Sequence, residues 1–379
     1  MPRNRRGHSI DVIGLPRARD VLRIAFIAPM IFVGGTTLSL PPSGTGHVRT
    51  ADARAETTTS GAVARSSSIL SVSRHMEIEL WIGGDTGLPA TLTLPHGSGQ
   101  FPAVVLVHGS GAHDRDETIG ANTPFRDIAH GLADRGIAAL RYEKRTRRYP
   151  RLLSDEQLTI DRETTDDALL AIRKLRALRM IDQRRVFVLG HSQGGMLAPR
   201  IAARAPEVAG IVLLAAPSRP LLDLLVEQHR RIDLLDDGVI SDAEQLLIHR
   251  LIESVRAIRA GREPLPSELP MGLSARYWRS VDAVDPVAEA ATIRQPMLLL
   301  QGGHDLQVVS ADWLRWRRAF AGTPRVTFVH YDTLNHLGIA QHGPPSIRGY
   351  RVPGKVSPEL LDDIALWIEL LHGVRTDRG

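Results

Sequence analysis

From residue 76 onward, short apolar segments with the pattern of β-strands alternate with longer segments of helical periodicity. The predicted strands are Met76–Ile82, Leu88–Leu94, Ala103–Val107, Ile137–Tyr142, Arg185–Leu189, Ile211–Leu214, Met297–Leu300 and Val326–Tyr331. The predicted helices are Pro124–Arg135, Asp155–Leu178, Gly194–Ala205, Trp313–Phe320 and Pro358–Leu371. Strands separated by helices of about ten residues or more form βαβ units, so this order predicts the α/β class. We expect a mostly parallel central sheet flanked by helices.

One long segment interrupts the alternation. Residues 218–284 contain no good strand, only helical stretches such as Leu221–Leu234 and Ala243–Ala260, followed by a proline-rich bend. An insertion after one strand of a parallel sheet lies at the carboxyl edge of the sheet, where ligands bind in such folds. We therefore predict an α/β core of residues 75–217 and 285–375, with residues 218–284 forming a helical cap.

The segment Gly190–Gly194 reads G-H-S-Q-G and lies between a predicted strand and a predicted helix. In that context the pattern G-x-S-x-G forms a sharp turn that exposes a nucleophilic serine. Side chains two residues before and after the serine would collide in such a turn, and the glycines remove the collision. A glycine–serine turn without chemistry has the same pattern, but the flanking elements favour Ser192 as a nucleophile.

A serine hydroxyl becomes an effective nucleophile when a positioned base removes its proton, and that base must itself be held in place. Asp305 follows the seventh predicted strand and His336 follows the eighth. Acid and then histidine, both after the serine, is the chain order that accompanies a G-x-S-x-G serine between a strand and a helix. We therefore predict His336 as the base and Asp305 as the acid, with His304 and Asp332 as rival candidates.

Acyl transfer also needs hydrogen-bond donors that stabilise the oxyanion of the tetrahedral intermediate. The backbone amide of Gln193, the residue after the nucleophile, is one predicted donor. The loop His108–Gly111 follows the central predicted strand, and its glycines allow the backbone to approach a substrate closely. We predict the amide of Ser110 as the second donor, and for His108 a role in shaping the loop rather than in proton transfer.

The tract His113–Glu117 is rich in ionisable side chains and has two interpretations. It could hold a metal ion, or its charges could pair with one another and with their neighbours in a loop. No H-E-x-x-H or comparable ligand spacing supports a metal site. We therefore predict an ion-paired loop that braces the oxyanion turn, and no metal.

Composition narrows the remaining function classes. The absence of cysteine excludes disulfides, thiolate metal sites and a cysteine nucleophile. Hydrophobic residues make up 43% and charged residues 23%, as in ordinary globular proteins, so no integral membrane domain is expected in the body of the chain. The net charge is +5, but the densest basic stretch, Arg141–Arg148, follows an apolar strand and contains Glu143. We interpret it as a solvated loop face and predict no nucleic-acid partner.

Residues 1–40 have the layout of an export signal or N-terminal anchor. Residues 1–20 contain five arginines, and the apolar stretch Ile24–Val33 that follows is shorter than the roughly 20 apolar residues of a transmembrane helix. Small-x-small cleavage patterns occur within Ala51–Ala55, although they lie far from the apolar stretch. Residues 41–74, rich in Ser, Thr, Ala and Gly, predict a flexible linker. We expect a periplasmic, cell-envelope or secreted protein, or a cytoplasmic one if the start codon is misassigned.

Several stretches together resemble the EstD-type carboxylesterases, bacterial α/β-hydrolases with a helical cap. The resembling stretches are Val107–Gly111, His113–Gly120, Pro124–Ala129, Leu140–Thr146, Gly190–Gly195, Gln301–Val308 and Leu334–His336. The D-R-D-E-T-I-G tract at residues 114–120 is far more specific than G-x-S-x-G alone. The resemblance covers about residues 76–372 and is weakest in the cap. The sequence departs from the family at Glu143, where Asp is usual, and at His304, where a charged or polar residue precedes the acid.

This resemblance implies the hydrolysis of short- to medium-chain acyl esters, without a metal or an organic cofactor. By the same similarity, Ser192, Asp305 and His336 fall on the family's triad positions. The implied partner is a small-molecule ester, and the sequence makes no prediction of the oligomeric state.

Two alternatives to an esterase stay open. The same triad could cleave thioesters, lactones or amides, because the shape of the pocket selects the substrate. The chain could also be a non-catalytic ligand-binding protein, which labelling by a fluorophosphonate probe would distinguish from an enzyme with an activated serine. In the cap, Leu273, Tyr277 and Trp278 could line an acyl pocket or could only contribute to packing.

Overall fold

A computed structural model describes residues 75–84, 87–237 and 239–376. The predicted export signal in residues 1–40 and the predicted linker in residues 41–74 lie outside this range. Within the described part of the chain, no helix is both long and apolar enough to cross a membrane.

A single sheet organises these residues. Its strands are β1 (His75–Ile82), β2 (Leu88–Pro95), β3 (Phe101–Val107), β4 (Ala138–Tyr142), β5 (Ile181–His191), β6 (Ile211–Leu214), β7 (Met297–Gly302) and β8 (Val326–Tyr331). The strand order is β1-β2-β4-β3-β5-β6-β7-β8. Strand β2 is antiparallel to β1 and to β4, whereas all neighbours from β4 to β8 are parallel. The predicted mostly parallel α/β sheet is confirmed.

Helices cover both faces of the sheet. The longer ones are α1 (Pro124–Ala133), α2 (Asp166–Arg176), α3 (Gln193–Arg204), α4 (Leu221–Asp237), α5 (Asp242–Arg259), α6 (Ala275–Asp282), α7 (Pro286–Thr292), α8 (Ser310–Phe320) and α9 (Pro358–Thr376). Shorter helical turns are Arg145–Arg148, Pro150–Ser154, Asp161–Thr165, Pro266–Glu268, Pro270–Gly272 and Ile347–Arg351. Helices α2 and α3 share one hydrophobic core with the sheet, and α1 and α9 share the other.

Strand β3 contributes side chains to both hydrophobic cores, one on each face of the sheet. Its residues Ala103–Val107 are all fully buried. Alternate side chains belong to opposite cores, with Val105 in the core beside α2 and α3 and Val104 in the core beside α1 and α9. A continuous apolar run is what a strand covered on both faces requires, and this prediction from the sequence is confirmed.

The predicted helix Asp155–Leu178 is wrong at its beginning. The segment becomes helical only at Asp161, with a single π-helical turn that leads into α2. The Asp155 carboxylate accepts a hydrogen bond from the backbone amide of Gln157 at 2.8 Å, and the Ile160 amide donates to the Ser280 hydroxyl at 2.9 Å. Such side-chain bonds to the backbone compete with helical hydrogen bonds.

Strands β6 and β7 are neighbours in the sheet, and the chain between them forms a series of helices. Residues 218–237 and 239–284 form α4, α5, α6 and short helical turns, and contain no strand, as predicted. Helix α5 begins with a capping box, in which Ser241 and Glu244 satisfy each other's backbone amides. We call residues 218–284 the helical insertion.

Candidate active site

Ser192 lies on the sharp turn between β5 and α3. Its backbone is left-handed, with φ 52° and ψ −118°, which a residue with a side chain rarely adopts. A Cβ atom at Gly190 would lie 2.2 Å from the Gly194 carbonyl oxygen, and one at Gly194 would lie 2.2 Å from the Val107 carbonyl oxygen. Neither contact is possible, so the turn requires glycine at both positions, as the sequence pattern predicted.

This turn, which we call the elbow, is held by backbone hydrogen bonds on both sides of Ser192. The Ser192 amide donates to the Leu214 carbonyl oxygen of β6 at 2.9 Å. The Ser192 carbonyl oxygen accepts from the Met196 amide, also at 2.9 Å, and so begins the first turn of α3. The amino end of α3 therefore begins next to the serine, where its free amides and the helix dipole favour negative charge.

The structure joins the predicted base to the predicted acid. His336 Nδ1 lies 2.8 Å from Asp305 Oδ2, and both side chains are buried. Because the carboxylate accepts the Nδ1 proton, Nε2 is the ring nitrogen left to take a proton from a nucleophile. Ser192 and His336 line the same cavity. The predicted triad residues are thus brought together at the carboxyl ends of β5, β7 and β8.

Asp305 is fixed by hydrogen bonds to both of its oxygens. Oδ1 accepts from the backbone amides of Gln307 at 2.8 Å and Val308 at 2.9 Å. Oδ2, which faces His336, also accepts from the Gln301 side-chain amide at 3.1 Å. Hydrogen bonds to an ionised acceptor are stronger than neutral ones, so this network fixes the position of the carboxylate.

The rival residues have other partners. The Asp332 carboxylate lies 3.3 Å from His330 Nδ1, and the Asp332 side chain is 95% exposed. His304 bonds a backbone carbonyl oxygen through its Nδ1 at 3.1 Å. The carboxylate that the structure joins to His336 is that of Asp305.

The loop after β3 contains two backbone amides, those of Gly109 and Ser110, that could donate to an oxyanion in the cavity. The Gly109 amide already donates to Glu117 Oε1 at 2.6 Å. His113 Nε2 donates to the Ser110 carbonyl oxygen at 2.6 Å and so orients that peptide unit. Burial lowers the pKa of His113, which favours the neutral ring. Gly109 and Ser110 line the cavity together with Ser192, and the Ser110 amide remains the better candidate for the oxyanion donor.

His108 has the loop-shaping position that the sequence predicted. Its ring is buried, and Nε2 donates to the Asp114 carbonyl oxygen at 3.0 Å. Burial lowers the pKa of His108 to about 3, because a charged imidazole would lose its hydration. The ring is therefore neutral near pH 7 and serves as a fixed donor.

The tract His113–Glu117 is ion-paired, as predicted. Arg115 pairs with Glu79 of β1. Asp116 accepts a hydrogen bond from Arg141 Nε at 2.7 Å. Across residues 75–84, 87–237 and 239–376, no group of three or more His, Asp and Glu side chains is arranged to hold a metal ion.

The interpretation of Arg141–Arg148 as a solvated face is wrong for two of its basic residues. Arg141 is 3% exposed and Lys144 is 1% exposed. Each buried cation has a carboxylate partner from another segment, which is what makes burial of a charge tolerable. Asp116 binds Arg141, while Lys144 Nζ lies 3.4 Å from Glu163 and donates to the Gly109 carbonyl oxygen at 2.7 Å. The position of Arg141 inside β4 was the signal in the sequence that this residue points into the protein.

Two adjoining cavities lie beneath the helical insertion. The cavity that contains Ser192 is walled by the apolar side chains of Ile119, Pro217, Leu221, Leu225, Met271 and Trp278. A smaller one adjoins Ser110 and is lined by Leu153, Leu221, Met271, Leu273, Tyr277 and Trp278. Leu273, Tyr277 and Trp278, whose role the sequence left open, therefore pack in the core and also line a cavity. Among the described residues that line either cavity, none is Lys or Arg.

Sequence comparison identifies related proteins. The profile of the alpha/beta hydrolase family matches residues 104–372. Esterase EstD of Thermotoga maritima is 40% identical over 282 residues, which are 74% of this chain and 65% of that protein. The chain thus spans just under two thirds of the length of this relative.

Structural comparison finds the same architecture in Est1E from Butyrivibrio proteoclasticus. The two chains superpose with a TM-score of 0.50 at 17% sequence identity, over 77% of this chain and 99% of Est1E. A structure of Est1E with ferulic acid bound gives the same TM-score of 0.50, over 77% and 98% of the two chains. At this level of identity the likeness shows the fold.

Proposed function

The chain belongs to the α/β-hydrolase family, and we propose that it is a serine carboxylesterase that cleaves short- to medium-chain esters. The hydrogen bond of 2.8 Å between Asp305 and His336, in the cavity that Ser192 lines, carries this proposal. The identity of 40% to an esterase supports the choice of ester substrates. No cofactor is needed for the chemistry that follows.

In the first half of the reaction, Ser192 Oγ attacks the carbonyl carbon of the ester while His336 Nε2 takes its proton. Asp305 stabilises the imidazolium that forms and keeps the ring in the required tautomer. The backbone amides of Gln193 and Ser110 donate to the oxyanion of the tetrahedral intermediate, and each such donor contributes about 3–4 kcal/mol. The intermediate collapses when His336 gives the proton to the leaving alkoxide, which departs as the alcohol.

In the second half, a water molecule attacks the acyl-enzyme. His336 Nε2 takes a proton from the water, and the same amides stabilise the second oxyanion. Collapse returns the proton to Ser192 Oγ and releases the carboxylic acid. The sum of both halves is ester plus water giving alcohol plus acid, with the enzyme unchanged.

The lining of the cavities favours an uncharged substrate. It combines apolar side chains with neutral glutamine amides, and the charged Glu117 and His191 on the same lining are paired with each other. The buried carboxylate of Glu163 lies at the smaller cavity and is paired with Lys144. A negatively charged ligand would find no lysine or arginine among the described lining residues with which to pair. Neutral acyl esters fit this environment better than acyl-CoA thioesters, which carry several phosphate charges.

A substrate panel tests the proposal. We expect p-nitrophenyl esters of short to medium chain length to be cleaved with kcat/KM at least about 100-fold above acyl-CoA and peptide substrates. The phosphate groups of acyl-CoA would lose hydration without gaining a cationic partner, and a peptide would leave polar groups without partners in an apolar cavity, each at a cost of several kcal/mol. Steady-state rates on esters of graded chain length, acyl-CoA and peptides provide the measurement. Faster cleavage of acyl-CoA or peptides would make the protein a thioesterase or an amidase, and failure to react with a fluorophosphonate would indicate a non-catalytic binding protein.

We further propose that the protein is exported, on the basis of the basic and apolar layout of residues 1–40. Fractionation of the producing cells, with antibody detection of residues within the α/β core, tests this proposal. Recovery in the cytoplasm alone would contradict it.

Deletion of residues 1–74 should leave a soluble enzyme with kcat/KM within roughly twofold of the full chain, since this segment has no periodic apolar pattern with which to join a core. Activity and thermal unfolding of the full and shortened chains, side by side, provide the comparison. Aggregation of the shortened chain, or loss of fluorophosphonate labelling, would mean that the segment packs on the domain.

A further inference from the structure

Glu117 is buried in an unusual way. Its side chain is fully enclosed, and its backbone is left-handed, with φ 52°. Glycine adopts this conformation without strain, whereas a residue with a side chain does so at a cost. The carboxylate of this strained residue has two specific partners. Oε1 accepts from the Gly109 amide at 2.6 Å, and Oε2 accepts from His191 Nδ1 at 2.9 Å.

His191 extends this connection to the catalytic base. Its Nε2 lies 2.9 Å from the backbone carbonyl oxygen of His336. A carbonyl oxygen can only accept, and the Glu117 carboxylate on the other side also accepts, so the ring carries a proton on each nitrogen. Burial opposes both charges, but their mutual attraction lowers the pKa of Glu117 to about 2 and raises the pKa of His191 above its ordinary value.

The three groups tied together in this way belong to three segments that meet at the active site. Gly109 lies in the loop His108–Gly111 after β3, which we call the oxyanion loop. His191 ends β5 and directly precedes the nucleophile on the elbow, and His336 lies in the loop after β8, which we call the base loop. The imidazole rings of His191 and His336 also pack with centroids 4.7 Å apart. The relative placement of these loops sets the alignment of the oxyanion donors, nucleophile and base.

We propose that Glu117 and His191 are positioning residues for acyl transfer, which hold the oxyanion loop, the elbow and the base loop in register through the hydrogen bonds from Gly109 and to His336. This inference rests on the proposed esterase function. Displacing a reacting group by about 1 Å costs on the order of 100-fold in rate. The connection therefore acts on turnover, although neither residue takes part in proton transfer.

The experiment compares three substitutions of Glu117. In Glu117→Gln, Oε1 still accepts from Gly109, while the amide nitrogen donates to His191 Nδ1. The neutral His191 ring then keeps its Nε2 proton and its bond to His336. All three hydrogen bonds survive without the charges. Glu117→Ala and Glu117→Gly remove the carboxylate, and glycine also relieves the strain of the left-handed backbone. Circular dichroism and thermal unfolding check that each variant is folded.

We expect kcat of Glu117→Gln to lie within about tenfold of the natural enzyme, because charge-assisted hydrogen bonds are only about twice as strong as neutral ones. Glu117→Ala and Glu117→Gly should each lose about 100-fold in kcat, with KM within about threefold. The rate of fluorophosphonate labelling of Ser192 should fall in parallel. Asp116→Ala is the matched control, because it removes the neighbouring carboxylate and the bond from Arg141. We expect it to lower the unfolding temperature but to change kcat by no more than about threefold.

Full activity of Glu117→Ala or Glu117→Gly would overturn the positioning role. Equal losses of kcat in Glu117→Gln and Glu117→Ala would show that the hydrogen bonds of Glu117 do not set the rate. An equal loss of kcat in Asp116→Ala would show that the effect comes from a less stable loop and not from positioning. The labelling rate needs no ester substrate. A natural enzyme that labels rapidly but cleaves none of the panel therefore contradicts the proposed function, while the substitution series still decides the role of Glu117.

Discussion

Replacement of Ser192 by alanine is expected to lower kcat on the best ester substrate by several orders of magnitude, about 10⁴- to 10⁶-fold, with little change in stability. Alanine removes Oγ, and with it the atom that forms the acyl-enzyme. It retains Cβ, so the steric demands of the left-handed turn at φ 52° are the same as with serine. Steady-state rates with active-site titration by a fluorophosphonate provide the measurement.

Ser254→Ala is the matched control for Ser192→Ala, because it removes the hydroxyl of a different serine. Ser254 is buried in α5 and does not line either of the cavities at the active site. We expect Ser254→Ala to retain kcat within about threefold, because a substitution that touches neither cavity acts mainly on stability. Circular dichroism and thermal unfolding should show folded protein for both variants. If Ser192→Ala kept more than a tenth of the activity, Ser192 would not be the nucleophile.

The fold, and the meeting of the three candidate triad residues at one edge of the sheet, could be predicted because both depend on local patterns. A strand covered on both faces must be apolar throughout, as Ala103–Val107 is, and this makes a parallel sheet recognisable in a single sequence. The carboxyl ends of parallel strands meet at one edge. Residues that directly follow such strands, such as Asp305 and His336, are therefore expected to meet even though 31 positions separate them.

Other parts of the site depend on partners that no local pattern identifies. Glu117 and His191 pair across 74 positions of sequence, and each alone resembles an ordinary loop residue. The burial of Lys144 becomes intelligible only with Glu163, which comes from a turn of helix that the sequence placed in a longer helix. The misplaced start at Asp155 has the same origin, because a tertiary bond and a local side-chain bond there replace helical ones.

The identity of the acid is tested by comparing Asp305→Asn with Asp332→Asn. Asparagine at 305 can still accept from the backbone amides of Gln307 and Val308, so the loop should keep its shape. Its side-chain nitrogen, however, would face His336 Nδ1 and favour the tautomer with Nδ1 as acceptor. The ring proton would then lie on Nε2, which could no longer accept the serine proton. We expect kcat to fall by about 10⁴-fold, as the equivalent change does in another triad hydrolase.

Asp332→Asn should change kcat by no more than about twofold, because surface substitutions of this kind rarely matter, and the Asp332 side chain is 95% exposed beside His330. Both variants are compared at the same pH, with circular dichroism and thermal unfolding as checks on folding. A large loss for Asp332→Asn with a small loss for Asp305→Asn would transfer the acid to the end of β8. Equal and modest losses would mean that either carboxylate orients His336. In that case the hydrogen bond of 2.8 Å between Asp305 and His336 would not set the tautomer on which the mechanism depends.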